Sequence, residues 1–315
     1  MPDASRAPRS VGDRASLYSE ITTRIIAELE AGRLPWVQPW GGADTAAPLG
    51  LPRNAASGRS YSGINVLILW GVVFADGFSG QSWLTYRQAL ALGGNVRKGE
   101  RGTTAVYADR FIPDRERQRA REDGEEAQAV HFLKRFTVFN TDQCDGLSEH
   151  IAPVPVPIPE GLILPRAEAL VRASGVDLRI GGSRAFYHLQ HDYVQVPPPQ
   201  SFFAPVNWHR TALHELGHSS GHPSRLGRDL SRCFGSRKYA FEELVAEIAS
   251  AFLCAALGIV PTVRHADYIG AWLDVLRNDD HAVVRAASQA SKAADYLLGF
   301  LPDDAPVADD AREAR

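Results

Sequence analysis

Residues 211–222 read TALHELGHSSGH, three histidines at intervals of four with a glutamate directly after the first. On a helix, His214 and His218 lie one turn apart on the same face, so both imidazoles can reach one ion while Glu215 stands beside it. This is the HExxH spacing of sites where a zinc ion polarises a water and the neighbouring carboxylate takes its proton, later passing it to a leaving amine. Glu215 is the expected general base. The motif fixes only three positions, so chance can produce it, and a catalytic zinc needs three protein ligands with one position open.

His222, another four residues on, is not the first choice for the third ligand. Gly221 and Pro223 end the helix there, and three ligands stacked along a straight helix cannot converge on one ion. A metzincin places its third histidine ten residues after the first, but that position is Ser224, and the only methionine is Met1, so there is no Met-turn. The remaining arrangement takes a glutamate from a following helix, which YAFEELVAEIASAFLCAAL (239–257) supplies. Leu244, Ile248, Phe252 and Ala255 form its core stripe, with Glu243 and Glu247 one turn apart beside it. Buried carboxylates are costly unless a metal or a hydrogen bond satisfies them. Glu243 is therefore assigned to the metal, and Glu247 to the free ring nitrogen of a histidine ligand. Glu242, about 100° away around the helix, reads as a solvated or capping residue.

The rest of the chain is consistent with a folded, water-soluble protein: 315 residues, 44% apolar, 23% charged and a formal net charge of -3. Neither half is basic enough to demand nucleic acid on charge alone. The N-terminal MPDASRAPRS is followed by no apolar run, so no export signal or membrane span is expected. Cys144, Cys233 and Cys254 are odd in number and widely spaced, which suggests reduced thiols and a cytoplasmic setting.

At about 150 residues per domain the length favours two domains, and IAPVPVPIPEG (151–161) is the expected seam, because its alternating prolines enforce an extended spacer. The reading is an α+β chain with an N-terminal domain over 10–150, the linker at 151–161, a second domain over 162–300 and a tail at 301–315. In the first domain, helices are expected over 16–34, 62–77 and 83–94, the last capped by Thr85 and stopped at Gly93–Gly94. Two strands are expected at 102–111 and 129–140. The charged insert between them, PDRERQRAREDGEEAQ (113–128), reads as a mobile loop. In the second domain a helix at 165–174 precedes strands near 176–180, 185–188 and 192–196. Helices at 207–220, 239–257, 261–277 and 280–299 follow.

The stretches SGRSYSGINVLILW (57–70), WLTYRQALALGGNVRKGERGTTAVY (83–107), FTVFNTDQCDGL (136–147), LHELGHSSGHPSRLGRDL (213–230), YAFEELVAEIASAFLCAALGI (239–259) and AADYLLGFL (293–301) resemble the ArdC-type antirestriction proteins of mobile genetic elements. That resemblance implies an N-terminal domain that binds single-stranded DNA, and double-stranded DNA more weakly. It also implies a C-terminal zincin-like metallopeptidase domain, and protection of incoming DNA against host restriction. The family's metal motif falls on His214, His218 and Glu243, with Glu215 as base and Zn2+ or another divalent metal as cofactor.

Sequence-tolerant binding of single strands uses aromatic faces for bases and Arg/Lys for phosphates. Trp36, Trp40, Trp70 and Trp83 supply the first. Arg97, Lys98 and Arg101 on the glycine-bounded turn RKGER (97–101) supply the second, with Arg53, Arg59, Tyr61 and Arg87 as the next candidates. In the second domain AFYHLQHDYVQVP (185–197) reads as a hairpin whose edge could hold a peptide substrate by strand addition. Tyr187, Tyr193, His222 and Tyr239 are assigned no catalytic role. The competing reading is a DNA-shielding protein whose metal site is structural or vestigial, although a structural site would not require Glu215. A two-metal nuclease would need a cluster of acids around paired ions, which two histidines and one glutamate do not provide.

Overall fold

The computed structural model describes residues 12–37, 49–113, 115–116, 118–119, 130–148, 150–151, 160–230, 236–260 and 268–302. Most of the charged insert and of the proline spacer, together with Trp40, Cys233 and most of the tail, lie outside the described residues. The chain forms two compact units, one of residues 1–155 and 263–285, the other of 156–262 and 286–315.

In the first unit, helix α1 (Gly12–Glu30) buries Leu17, Ile21, Ile25 and Leu29 at spacings of three and four. Helix α2 (Ile64–Asp76) buries seven of its residues, including Trp70, and ends at Gly77 in the left-handed conformation. A four-stranded sheet runs in the order β1 (Arg53–Asn54), β2 (Ser82–Leu84), β5 (Val130–Asn140), β4 (Thr103–Phe111). β4 and β5 are antiparallel from Thr103↔Val138 to Phe111↔Val130, as their β-branched and aromatic content predicts. A smaller ribbon pairs β3 (Asn95–Val96) with β6 (Cys144–Asp145).

The helix expected over 83–94 begins later than its apolar pattern suggests. Trp83 and Leu84 are fully buried in β2, paired with Asn140 and Phe139 of β5, and helix α3 covers only Tyr86–Ala91. Thr85 caps it as expected, its hydroxyl accepting from the Gln88 amide while the Gln88 side chain accepts from the Thr85 N–H. The ladder bonds to β5 are available only through tertiary pairing, and they overrode local helix preference.

Residues 263–285 join this first unit, whereas the sequence reading places all of 162–300 in one domain. The reason is helix α7 (Ile269–Asn278), whose fully buried Trp272 meets Trp36 edge to face at 5.4 Å. Glu30 and Arg277 pair at 2.6 Å, and Thr22 donates to the Asp280 carbonyl at 2.6 Å.

In the second unit, helix α4 (Glu160–Ala173) leads to a three-stranded sheet ordered β7 (Asp177–Ile180), β9 (Tyr193–Val196), β8 (Phe186–His188). β7 and β9 are parallel, β9 and β8 antiparallel, so β8 is an edge. Helix α5 (Pro205–Ser219) packs on this sheet and on helix α6 (Arg237–Leu257). Helix α8 (Ala282–Leu298) completes the described elements.

Candidate metal centre

Helix α5 starts at Pro205, where a missing N–H is harmless and φ is already helical. Its residues Leu213, His214, Glu215, Leu216 and Gly217 are all buried, so the motif lies inside the unit. Helix α6 starts at Ser236, whose hydroxyl accepts from the Tyr239 amide, and stops at Gly258 with φ 75°. Leu244, Ile248, Phe252 and Ala255 form its core stripe as the periodicity predicts.

The two helices meet closely at Gly217 of α5. A Cβ built there would lie 3.5 Å from the Ala246 carbonyl oxygen and 3.7 Å from the Ala249 Cβ. That approach sets Glu243 against both imidazoles. Its Oε2 lies 3.6 Å from His214 Nε2, and its Oε1 lies 3.6 Å from His218 Nε2. Ligand atoms of these three residues all fall within 4.8 Å of one another. Both 3.6 Å separations are long for hydrogen bonds. They match the ~3.3–3.6 Å between two ligands that each stand ~2.0–2.2 Å from a tetrahedral ion. Two imidazole nitrogens and a carboxylate oxygen are a donor set suited to first-row divalent metals.

The outer ring nitrogens meet further acids. Glu247 Oε1 stands 3.7 Å from His214 Nδ1, on the expected side but beyond hydrogen-bond length. Glu242 differs from expectation. It is buried, with Oε1 3.4 Å from His218 Nδ1 and both carboxylate oxygens on the Arg228 guanidinium at 2.7 and 3.2 Å. A position 100° away from Glu243 would be solvated on a one-faced helix. α6 is covered on nearly every side, so that position is interior as well. Sequence reasoning also missed Arg228, which follows the motif in an irregular stretch where periodicity carries no signal.

The electrostatics follow the geometry. Burial pushes the Glu243 carboxyl up, but the His214 and His218 rings outweigh it and hold it well below the usual range. For His218, burial lowers the ring and the Glu242 and Glu243 carboxylates raise it more, to about 10. Burial raises Glu242 too, and His218 and Arg228 together bring it below its ordinary value.

His222 stays outside the cluster. Its Nδ1 is 2.7 Å from the Ser224 hydroxyl and 3.9 Å from Asp192. The Tyr187 hydroxyl donates to Asp192 at 2.8 Å, Asp192 pairs with Arg225, and Arg225 donates to the Ser219 carbonyl at 2.7 Å. Tyr193 stacks on His188 with centroids 5.1 Å apart, under the Arg179 guanidinium. These contacts tie the β8–β9 hairpin to the end of α5.

In the first unit, Arg53, Arg59 and Tyr61 fall in one turn, where the Tyr61 amide donates to the Pro52 carbonyl and Arg53 bridges Ser60, and Arg87 is exposed on α3. Asn54 accepts from the Ala56 and Ser57 amides, its own amide donates to the Arg59 carbonyl, and its side chain donates to Gln88 of α3 at 3.0 Å. Arg97 is engaged internally, with Glu100 at 2.8 Å, Asp145 at 3.5 Å and the Asp142 carbonyl at 2.6 Å. Lys98 and Arg101 are exposed on the same turn. Trp36, Trp70 and Trp83 are fully buried, so they are core residues and not the base-stacking faces the sequence reading makes them.

A motif helix facing a glutamate from the next helix is the arrangement of a zincin-like metallopeptidase domain, and the family model of that description matches residues 165–289. A second family model, the N-terminal domain of anti-restriction factor ArdC, matches residues 15–139. The crystal structure of the antirestriction ArdC protein from the R388 plasmid, in its metal-free form, is similar with a TM-score of 0.73 and 38% identity, covering 90% of this chain and 97% of that one. A Mn(II)-bound structure of that protein has the same TM-score, 37% identity and the same coverage. The uncharacterized protein y4eC of Sinorhizobium fredii is 40% identical over 93% of this chain and 94% of its own. A DNA primase TraC of Escherichia coli is 38% identical over 90% of this chain, which spans 27% of that longer protein. The chain belongs to the ArdC antirestriction family, as its motif stretches imply. Among the described residues no helix is long and apolar enough to cross a membrane.

Proposed function

We propose that the protein protects incoming DNA by binding single strands through its N-terminal domain, and that its C-terminal domain is a metal-dependent hydrolase, most simply a peptidase. The observation that carries the second part is the convergence of the buried His214 and Glu243 with the half-buried His218, with Glu215 next to the first ligand. His214 Nε2, His218 Nε2 and a Glu243 oxygen would hold a divalent cation, zinc or manganese. When bound, such an ion supplies Lewis acidity to a water and to a substrate carbonyl.

The chain's own residues supply the rest. Glu215 would be the base that takes a proton from the attacking water and returns it to the leaving amine. Burial strengthens every charge interaction there. β8, an open edge in the same unit, offers backbone groups to an extended peptide. For DNA, the exposed Lys98, Arg101, Arg59 and Arg87 are the proposed phosphate contacts, with Arg53 and Tyr61 beside them. Family membership and the likeness to the ArdC antirestriction protein and to the DNA primase TraC support an encounter with DNA. The proposed N-terminal domain is 10–150 together with 263–285, the proposed C-terminal domain is the remainder of 162–300, and the proposed setting is the cytoplasm.

The test is Glu215→Gln in the full chain. It is expected to keep metal and fold while lowering peptide hydrolysis by ~10^2–10^4-fold, the usual contribution of a positioned acid–base group. Unchanged hydrolysis would remove Glu215 from the mechanism. Antirestriction that survives intact in this variant would instead favour DNA shielding with a vestigial metal site.

A further inference from the structure

His218 is held from behind by a pair that the HExxH motif does not contain. Its Nε2 faces Glu243 at 3.6 Å and its Nδ1 faces Glu242 at 3.4 Å. Arg228 in turn fixes Glu242, with Nη2 2.7 Å from one carboxylate oxygen and Nε 3.2 Å from the other. This two-point contact is the strongest side-chain match available to a carboxylate.

The same guanidinium reaches the last turn of α5. Nη2 donates to the Gly217 carbonyl at 2.7 Å and Nη1 to the Ser220 hydroxyl at 2.8 Å. The Ser220 hydroxyl also donates to that carbonyl, at 2.7 Å, so the guanidinium adds a charged donor at a helix C-terminus, where a cation suits the helix dipole. The Arg228 and Glu242 side chains are each only 6% exposed, and losing either would leave a buried charge uncompensated.

We propose that Arg228 and Glu242 form a positioning pair for His218, an inference that rests on the metal-site reading above. Glu242 accepts the Nδ1–H of the neutral ring, which leaves the Nε2 lone pair for the ion. Arg228 occupies both Glu242 oxygens and so decides which of two adjacent glutamates ligates: Glu243 turns to the ion and Glu242 stays behind the ring. By anchoring to Gly217 and Ser220, the guanidinium also fixes the backbone on either side of the ligand.

The experiment uses the full chain stripped of metal and titrated with Zn(II) and separately Mn(II) against a chromophoric chelator. The variants are Glu242→Gln, Arg228→Met, Arg228→Lys and the double Glu242→Gln/Arg228→Met, each also melted in its metal-free form. Outer partners of ligating histidines carry ~10–100-fold in metal affinity, so Glu242→Gln and Arg228→Met are each expected to weaken binding by that factor. The double variant should be no weaker than the worse single, because the two residues act in series. Arg228→Lys, which keeps the charge but lacks the fork, should fall between wild type and Arg228→Met. Should Arg228→Met fail to fold, Glu242→Gln and Arg228→Lys decide the matter alone. A lower metal-free melting temperature with unchanged affinity, or losses that add in the double, would overturn the inference while leaving the metal site standing. A wild-type chain that takes up neither metal would overturn the site reading itself.

Discussion

His214 Nε2 lies 3.6 Å from Glu243 Oε2, a contact between two successive helices that brings the motif and the following acid to one point. Removing the charge of Glu243 should therefore cost more than removing an outer partner. Glu243→Gln is expected to lower divalent-metal affinity by more than the ~10–100-fold typical of outer-partner loss, and to lower the metal-free melting temperature at neutral pH as well, because the carboxylate partners both rings. A chelator competition with the full chain reads the affinity, and a thermal melt of the metal-free chain reads the stability. Affinity equal to wild type would take Glu243 out of the ligand set.

The two helices meet at Gly217, where there is room for a single added carbon, in ordinary contact with Ala246 and Ala249, and for little more. Gly217→Ala should be tolerated and can stabilise by up to ~1 kcal/mol through helix propensity. Gly217→Val should overpack the interface, destabilise by ~1–3 kcal/mol and weaken metal binding, although position 217 offers no ligand. Chemical denaturation of both variants separates these outcomes. Equal stability of Gly217→Val and wild type would show that this contact does not set the spacing.

The site makes a defined contribution to stability against pH when no metal is bound. Glu242 and Glu243 have folded-state values below their ordinary 4.5, so their contribution is present above that pH and is lost as pH falls. His218 is raised from 6.5 to about 10, so its contribution is full below 6.5 and is lost as pH rises towards 10. The stability difference between wild type and His218→Ala, both metal-free, should thus be largest between pH 4.5 and 6.5 and shrink by pH 10. Saturating zinc should reverse the alkaline trend, because the ion takes the place of the proton. A wild-type advantage that grows between pH 6.5 and 10 without metal would contradict the assignment.

On the nucleic-acid side, Lys98 and Arg101 are exposed, whereas Arg97 is engaged with Glu100 and Asp145. Lys98→Ala and Arg101→Ala should each reduce the slope of log affinity for single-stranded oligonucleotides against log salt by ~0.7. Arg97→Ala should change it less and lower stability instead. An unchanged slope in both Lys98→Ala and Arg101→Ala would move the phosphate contacts elsewhere.

How much the sequence discloses depends on whether local pattern or tertiary pairing fixes a feature. The helices carrying His214 and Glu243, and the long β4–β5 pair, have periodicities strong enough to read directly. The strand at Trp83 and Leu84 does not, since a short apolar run looks alike in a buried strand and a buried helix. Its partner, β5, lies across the charged insert. The tryptophans misled for a related reason: a large aromatic can stack on a base or fill a core, and only packing distinguishes the two. Glu242 was misplaced because a hydrophobic stripe describes one face of α6, whereas the fold covers the other faces too. Arg228 could not be foreseen, because its partners are chosen by how an irregular segment folds back over the last turn of α5.

The most direct test of the account is anomalous diffraction from crystals of the full chain grown with zinc or manganese. The account predicts one peak at ~2.0–2.2 Å from the Nε2 atoms of His214 and His218 and from a Glu243 oxygen, with Glu242 turned away on Arg228. Metal bound elsewhere on the chain, with Glu243 directed away from both rings, would contradict it.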